Sequence, residues 1–158
     1  MTSIIAALVR LYQHIPMCLI TLLARILVGL VFFRSGLTKI DGLSIKPATF
    51  FLFENEYKIR ILKYLGLSDV DYSMPMPDLA AYLGTAVELS MPFFLWLGLG
   101  ARFAATVLLG MTAVIESVYP NSYMEHGFWA VALLLIMARG AGVLSVDYLI
   151  KRQHMDRF

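Results

Sequence analysis

Apolar residues in this chain gather into four long stretches, at residues 17–39, 78–98, 101–119 and 124–146, and the polar residues collect mainly between them. The 21 residues of 78–98 rise about 1.5 Å each, enough to cross a hydrocarbon core of about 30 Å. Pro16 suits a first helical turn at the start of the first stretch, and Gly29 and Gly36, seven apart, share one face that permits close helix contact. Gly98-Leu99-Gly100 joins the second stretch to the third, and Pro120-Asn121 stops the third. The fourth begins near Tyr123 or His126, but only 12 uncharged residues separate His126 from Arg139. Either Arg139 lies inside that span or the helix breaks at Gly140-Ala141-Gly142.

Two weaker patterns flank these stretches. Ile4, Ile5, Leu8, Leu11 and Tyr12 fall at helical spacing, which predicts a short amphipathic helix in the inner interface over residues 1–13. A cleaved signal peptide fits poorly, because no positive charge precedes that run and no small-residue cleavage pattern follows it. In the loop at 41–77, Phe50, Phe51, Phe53, Tyr57, Ile61, Leu62, Tyr64 and Leu65 are too interleaved with polar residues to span. They predict an amphipathic helix resting at the outer interface. The expected fold is therefore all-α, a single membrane domain over 1–158, built as a four-helix transmembrane bundle with an interfacial helix in its first outer loop.

Composition agrees with the pattern. At 59% hydrophobic and 15% charged residues, with a mean hydropathy of +0.74, the chain departs from soluble domains, which run at about 45–50% and about 25%. The net charge of +2 is small and the bases are scattered, so no nucleic-acid partner is expected. The single cysteine, Cys18, excludes an internal disulfide and a cysteine-built metal or iron–sulfur centre. Of the three histidines only His126 approaches the membrane, which argues against a haem held between two histidines and against a histidine-built metal site. Four crossings place both termini on one side. Arg10, Arg102, Lys151, Arg152 and Arg157 lie in the short segments of that side, so both termini are expected in the cytoplasm.

Charges inside the stretches carry the candidate chemistry. Counting helical rise from the inner face puts Arg25 at about 12 Å and Glu88 at about 15 Å, with Arg139 at about 10 Å. Arg34 at about 25 Å and Glu116 at about 22 Å share an outer layer. The expected pairs are thus Arg25 with Glu88, near Arg139, and Arg34 with Glu116. Three arginines against two glutamates leave three readings open: structural ion pairs that fix register, a site for a small anion or a quinone oxygen, or a proton or ion pathway. Pro92 leaves the Glu88 carbonyl without its helical donor, and Trp96, Trp129 and Tyr119 read as interfacial belt residues.

The order and spacing of Arg25, Gly29-Leu-Val-Phe32-Phe-Arg-Ser-Gly36-Leu-Thr-Lys39, Ala86-Val-Glu88-Leu, Gly98-Leu-Gly-Ala-Arg102-Phe-Ala-Ala and Gly140-Ala-Gly-Val-Leu-Ser-Val-Asp147 resemble the DoxX family of small four-helix bacterial membrane proteins. The resemblance runs over about 19–149 and implies a four-helix bundle in the bacterial cytoplasmic membrane. It marks Arg25, Lys39, Glu88, Arg102 and Asp147 as matching positions, to which the intramembrane charges add Arg34, Glu116 and Arg139. Ser90-Met-Pro92 stands here where the family's commonest form has glycine pairs, and Ala141 where many members carry proline. A relative gives the family its link to thiosulfate:quinone oxidoreductase, so the implied role is a membrane subunit or accessory of a quinone-linked oxidoreductase system. The chain is expected to carry no redox cofactor of its own beyond a bound quinone, and to work with a protein partner subunit in the lipid bilayer. A small transporter using Glu88 as its coupling carboxylate, and a non-catalytic assembly or anchoring factor, are the alternatives.

Overall fold

The structure, a computed structural model, describes residues 14–155 together with Ile5, Ala6 and Tyr12. The amphipathic helix expected over 1–13 falls largely outside the described residues. Four long helices pack together: α1 (Met17–Thr38), α4 (Pro77–Leu97), α5 (Ala101–Val118) and α6 (Tyr123–Arg139). Helix α1, α4 and α5 are each long and apolar enough to cross a membrane, while α6 has 17 residues and packs on α1 and α5. The chain is a multi-pass membrane protein. Leu27, Phe103, Phe128 and Val131 point outward, all at least 60% exposed, where lipid covers them.

The core runs between these helices through Val28, Phe32, Leu95, Leu108, Leu133 and Ile136, with Ala101, Ala104 and Ala105 fully buried. Such small side chains let backbones approach, which is how helices gain packing contact where lipid removes the hydrophobic drive. Two glycines fix how α1 lies on α4. A Cβ at Gly29 would fall on the Trp96 ring, whose N–H donates to the Ile26 carbonyl at 3.3 Å. A Cβ at Gly36 would lie 2.9 Å from Leu89 and 3.1 Å from Glu88. This register brings Gly36 level with Glu88 and sets Arg25 against Gly98, at the very end of α4.

The expected single helix over 50–65 is replaced by short pieces. A two-residue ladder, β1 (Ile40–Asp41) with β2 (Ser44–Ile45), leads into α2 (Pro47–Phe51), which widens into a π-turn at Leu52–Glu56. A second ladder joins β3 (Lys58–Ile59) to β4 (Tyr72–Ser73), with one helical turn, α3 (Ile61–Tyr64), between them. The segment breaks at Tyr57 because its backbone leaves the helical region and Arg60 N–H donates to the Ser117 carbonyl at the end of α5. Its apolar residues then part company: Phe53 is buried in the bundle, whereas Phe51, Tyr64 and Leu65 stay exposed. After α6, a turn at 140–145 leads to α7 (Val146–Met155).

Candidate functional site

The α1 terminus positions the site's cation. Lys39 caps α1, and its carbonyl accepts from Lys46 N–H at 2.9 Å and from the buried Thr49 hydroxyl at 3.0 Å. Lys46 Nζ adds a bond to the Thr38 carbonyl at 2.9 Å, covering another unsatisfied group of the helix end. With the backbone so pinned, the Lys39 side chain folds back into the bundle. Its Nζ donates to Glu88 Oε2 at 2.5 Å and to Ser35 Oγ at 2.9 Å, while the Ser35 hydroxyl donates to Glu88 Oε1 at 3.1 Å. Ser35 and Lys39 are four apart and therefore on one face of α1. The side chains of Lys39 and Glu88 are only 10% and 2% exposed. Burial to this degree leaves each charge dependent on the other.

This triad opens onto a cavity of about 150 Å³. Its wall comprises Val31 and Phe32 from α1, Met111, Val114, Ile115 and Val118 from α5, Tyr119 beyond it, and Trp129 from α6. The outer loop contributes Phe53, Tyr57 and Met74. Tyr57 stacks edge-on against both Phe53 and Tyr119. Burial, reinforced by Tyr119 and by the negative charge of Glu88, pushes its phenol from 10.0 up to about 12. The hydroxyl thus stays protonated and able to donate at any physiological pH.

The pairings expected from depth are corrected here. Glu88 bonds to Lys39 rather than Arg25, because the glycine contacts slide α1 along α4 until Arg25 passes the level of Glu88. Arg25, fully buried, instead donates to the Leu95 carbonyl at 3.3 Å and to the Leu144 carbonyl at 2.7 Å, leaving its Nε without a partner among the described residues. Glu116 meets His126 rather than Arg34: its Oε2 lies 2.5 Å from His126 Nδ1, while Arg34 points outward from the bundle. Arg139 ends α6 as an exposed residue, so the helix breaks at Gly140 and Arg139 does not join Arg25. Arg102 is exposed at the same end of the bundle, with a long bond of 3.4 Å to the Ala138 carbonyl. Asp147 accepts from Gly100 N–H at 2.7 Å and Ala101 N–H at 3.1 Å, capping α5 from a distance.

Of the positions singled out in the sequence, the cavity therefore gathers Lys39 and Glu88; Arg25, Arg102, Arg139 and Asp147 lie toward the opposite end. Ser35, Tyr57 and His126 were not among them. Ser35 was legible as the residue one turn before Lys39 on the same face. Glu116 and His126 stand five residues either side of Asn121, so a hairpin there sets them opposite one another. Trp129 stacks on His126 and Phe32, and Trp96 spans α1 and α4, so both serve the interior rather than only a membrane belt. Among the described residues no three His, Cys, Asp or Glu side chains stand close enough to hold a metal ion.

Comparison with known proteins places this chain in a family. The DoxX family model matches residues 20–119, which takes in α1, the outer loop, α4 and α5, and the chain belongs to the DoxX family. An uncharacterized protein of Haemophilus influenzae is 26% identical, in a match that covers 71% of this chain and 86% of that protein. No solved structure matches the chain.

Proposed function

We propose that this DoxX-family membrane protein acts as a membrane subunit or accessory of a quinone-linked oxidoreductase system, and that the cavity beside Lys39 and Glu88 receives the quinone ring. One observation carries the reading: an apolar, aromatic-lined space of about 150 Å³ into which a buried ammonium, a carboxylate and a serine hydroxyl converge. A cavity of about that volume is known to admit a six-membered ring. A quinone offers two apolar faces and two carbonyl acceptors, and the donor set suits it. An ammonium has three N–H donors, and Lys39 spends two of them on Ser35 and Glu88. The third is available to a carbonyl oxygen, while the Tyr57 hydroxyl is engaged with Tyr119 at the mouth of the space.

When bound, a quinone supplies a two-electron, two-proton acceptor. The chain's own part is to orient the ring between Phe32, Phe53 and Trp129, to hold positive charge at Lys39 Nζ against the oxygen, and to keep a proton-accepting carboxylate at Glu88. Electrons enter from a partner protein that carries a redox centre. The setting we propose is the bacterial cytoplasmic membrane, with α6 as a fourth crossing and both termini inside, in keeping with Arg102, Lys151 and Arg152 on the short segments of one side.

Fluorescence tests this reading, because Trp129 lines the cavity. Purified protein in mild detergent, with Trp96 replaced by Phe, is titrated with short-chain ubiquinone and menaquinone analogues. Saturable quenching is expected, and Met111→Phe, which puts a non-reporting ring into the space beside Trp129, should weaken binding. Lys39→Met should weaken it too. Quenching that rises linearly without saturation, or binding undiminished by both substitutions, would overturn the proposal.

A further inference from the structure

A second polar depression lies at the other end of the bundle. A cleft of about 380 Å³ opens where α6 stops, between the start of α5, the turn at 140–145 and the first turns of α7. Three cations line it, Arg102, Arg139 and Lys151. Among the described residues its one acid, Asp147, already spends both carboxylate oxygens on the Gly100 and Ala101 amides. Arg102 lies over Gly140, where a Cβ would stand 3.5 Å from its Nε. The side chains of Arg139 and Lys151 make no hydrogen bond or ion pair among the described residues.

Apolar side chains stand exposed beside these charges. Val143 and Leu144 are 49% and 59% exposed, at the level where α4 ends and α5 begins. Guanidinium forks match phosphate oxygens, and the depth of the helix ends is the depth of lipid headgroups. A small soluble anion would satisfy the cations and leave the apolar side chains uncovered, whereas a lipid covers both.

We propose that this cleft is a headgroup site for an anionic phospholipid, its phosphate held by Arg102, Arg139 and Lys151 and its acyl chains lying along Val143 and Leu144. The site is independent of the cavity at Glu88. Basic residues at a membrane surface each strengthen anionic lipid binding by about fivefold, so phosphatidylglycerol or cardiolipin should bind about tenfold or more tightly than phosphatidylcholine.

Native mass spectrometry of retained lipid, paired with thermal shifts in mild detergent, tests this with four probes: phosphatidylglycerol, cardiolipin, phosphatidylcholine and inorganic phosphate. Arg139→Gln and Lys151→Gln should each weaken anionic lipid retention about fivefold, while Lys58→Gln, in the outer loop, leaves it unchanged. Both cleft residues are exposed, so these variants are expected to fold, and an unchanged thermal transition without lipid confirms it. Equal retention of phosphatidylcholine, or undiminished retention in the double variant, overturns the site. A shift with inorganic phosphate as large as that with lipid overturns the lipid as its occupant.

Discussion

Removing either charge of the Lys39–Glu88 pair should destabilise the bundle more than removing both. At a separation of 2.5 Å and an effective dielectric of about 20, the gross attraction is about 7 kcal/mol. Desolvation of the two charges offsets most of that, and an apolar pair of similar volume is often no less stable. A single removal is different, because it strands the partner's charge in a place that is nearly closed to water. Lys39→Ala and Glu88→Ala are each expected to cost about 3–5 kcal/mol, whereas Lys39→Met with Glu88→Leu costs less than either.

Equilibrium unfolding in detergent, followed by circular dichroism, measures the double-mutant cycle. Coupling should exceed about 0.5 kcal/mol and favour the intact pair. The matching cycle for Arg25 and Glu88 should be additive within about 0.5 kcal/mol, since Arg25 bonds to the Leu95 and Leu144 carbonyls. Additivity for Lys39 and Glu88, or strong coupling for Arg25 and Glu88, would refute the register that the glycine contacts impose.

Two further outcomes follow from the turn and the outer loop. Gly98 and Gly100 both hold positive φ, at 65° and 57°, so alanine at either costs about 1–2 kcal/mol in backbone strain. Only at Gly98 would the new Cβ collide with Arg25 and Ser145, so Gly98→Ala should lower thermal stability well beyond Gly100→Ala, and equal losses would contradict the packing of Arg25. Tyr57 should ionise near pH 12: because the fold raises its pKa, its contribution to stability is complete below about pH 10 and fades as pH rises through about 12. The difference in tyrosinate absorbance between wild type and Tyr57→Phe isolates that titration, and a component near pH 10 would count against the buried phenol.

Apolar stretches gave the positions of α1, α4 and α5 to within two residues at each end, because a hydrocarbon core demands length and hydrophobicity from consecutive residues. Depth counting did not give the contacts. It let α1 and α4 start from one plane, whereas Gly29 against Trp96 and Gly36 against Glu88 set a stagger that only the packed surfaces define. Lys39 was legible as a matching position yet not as the partner of Glu88, since a base at a helix end ordinarily reaches for water. Here the loop pins its backbone through Thr49 and Lys46 and the side chain turns inward. Tyr57 and Phe53 enter the cavity from a segment whose helical spacing is interrupted by non-local bonds, and no local pattern announces such bonds.

The two groups of matching residues differ in what remains for them to do. Arg25 serves the carboxyl end of α4 and Asp147 the amino end of α5, each opposing the charge of the helix terminus it faces. Apart from the Nε of Arg25, their bonds are spent on the scaffold. Lys39 and Glu88 also bond to each other, but they border open volume. A purely structural pair gains from close packing, whereas this one faces a space of about 150 Å³. On the reading proposed above, the remaining ammonium donor and the aromatic wall select what fills it. The case for a ligand therefore rests on Lys39 and Glu88, and it is the filling of this cavity that separates a binding role from a structural one.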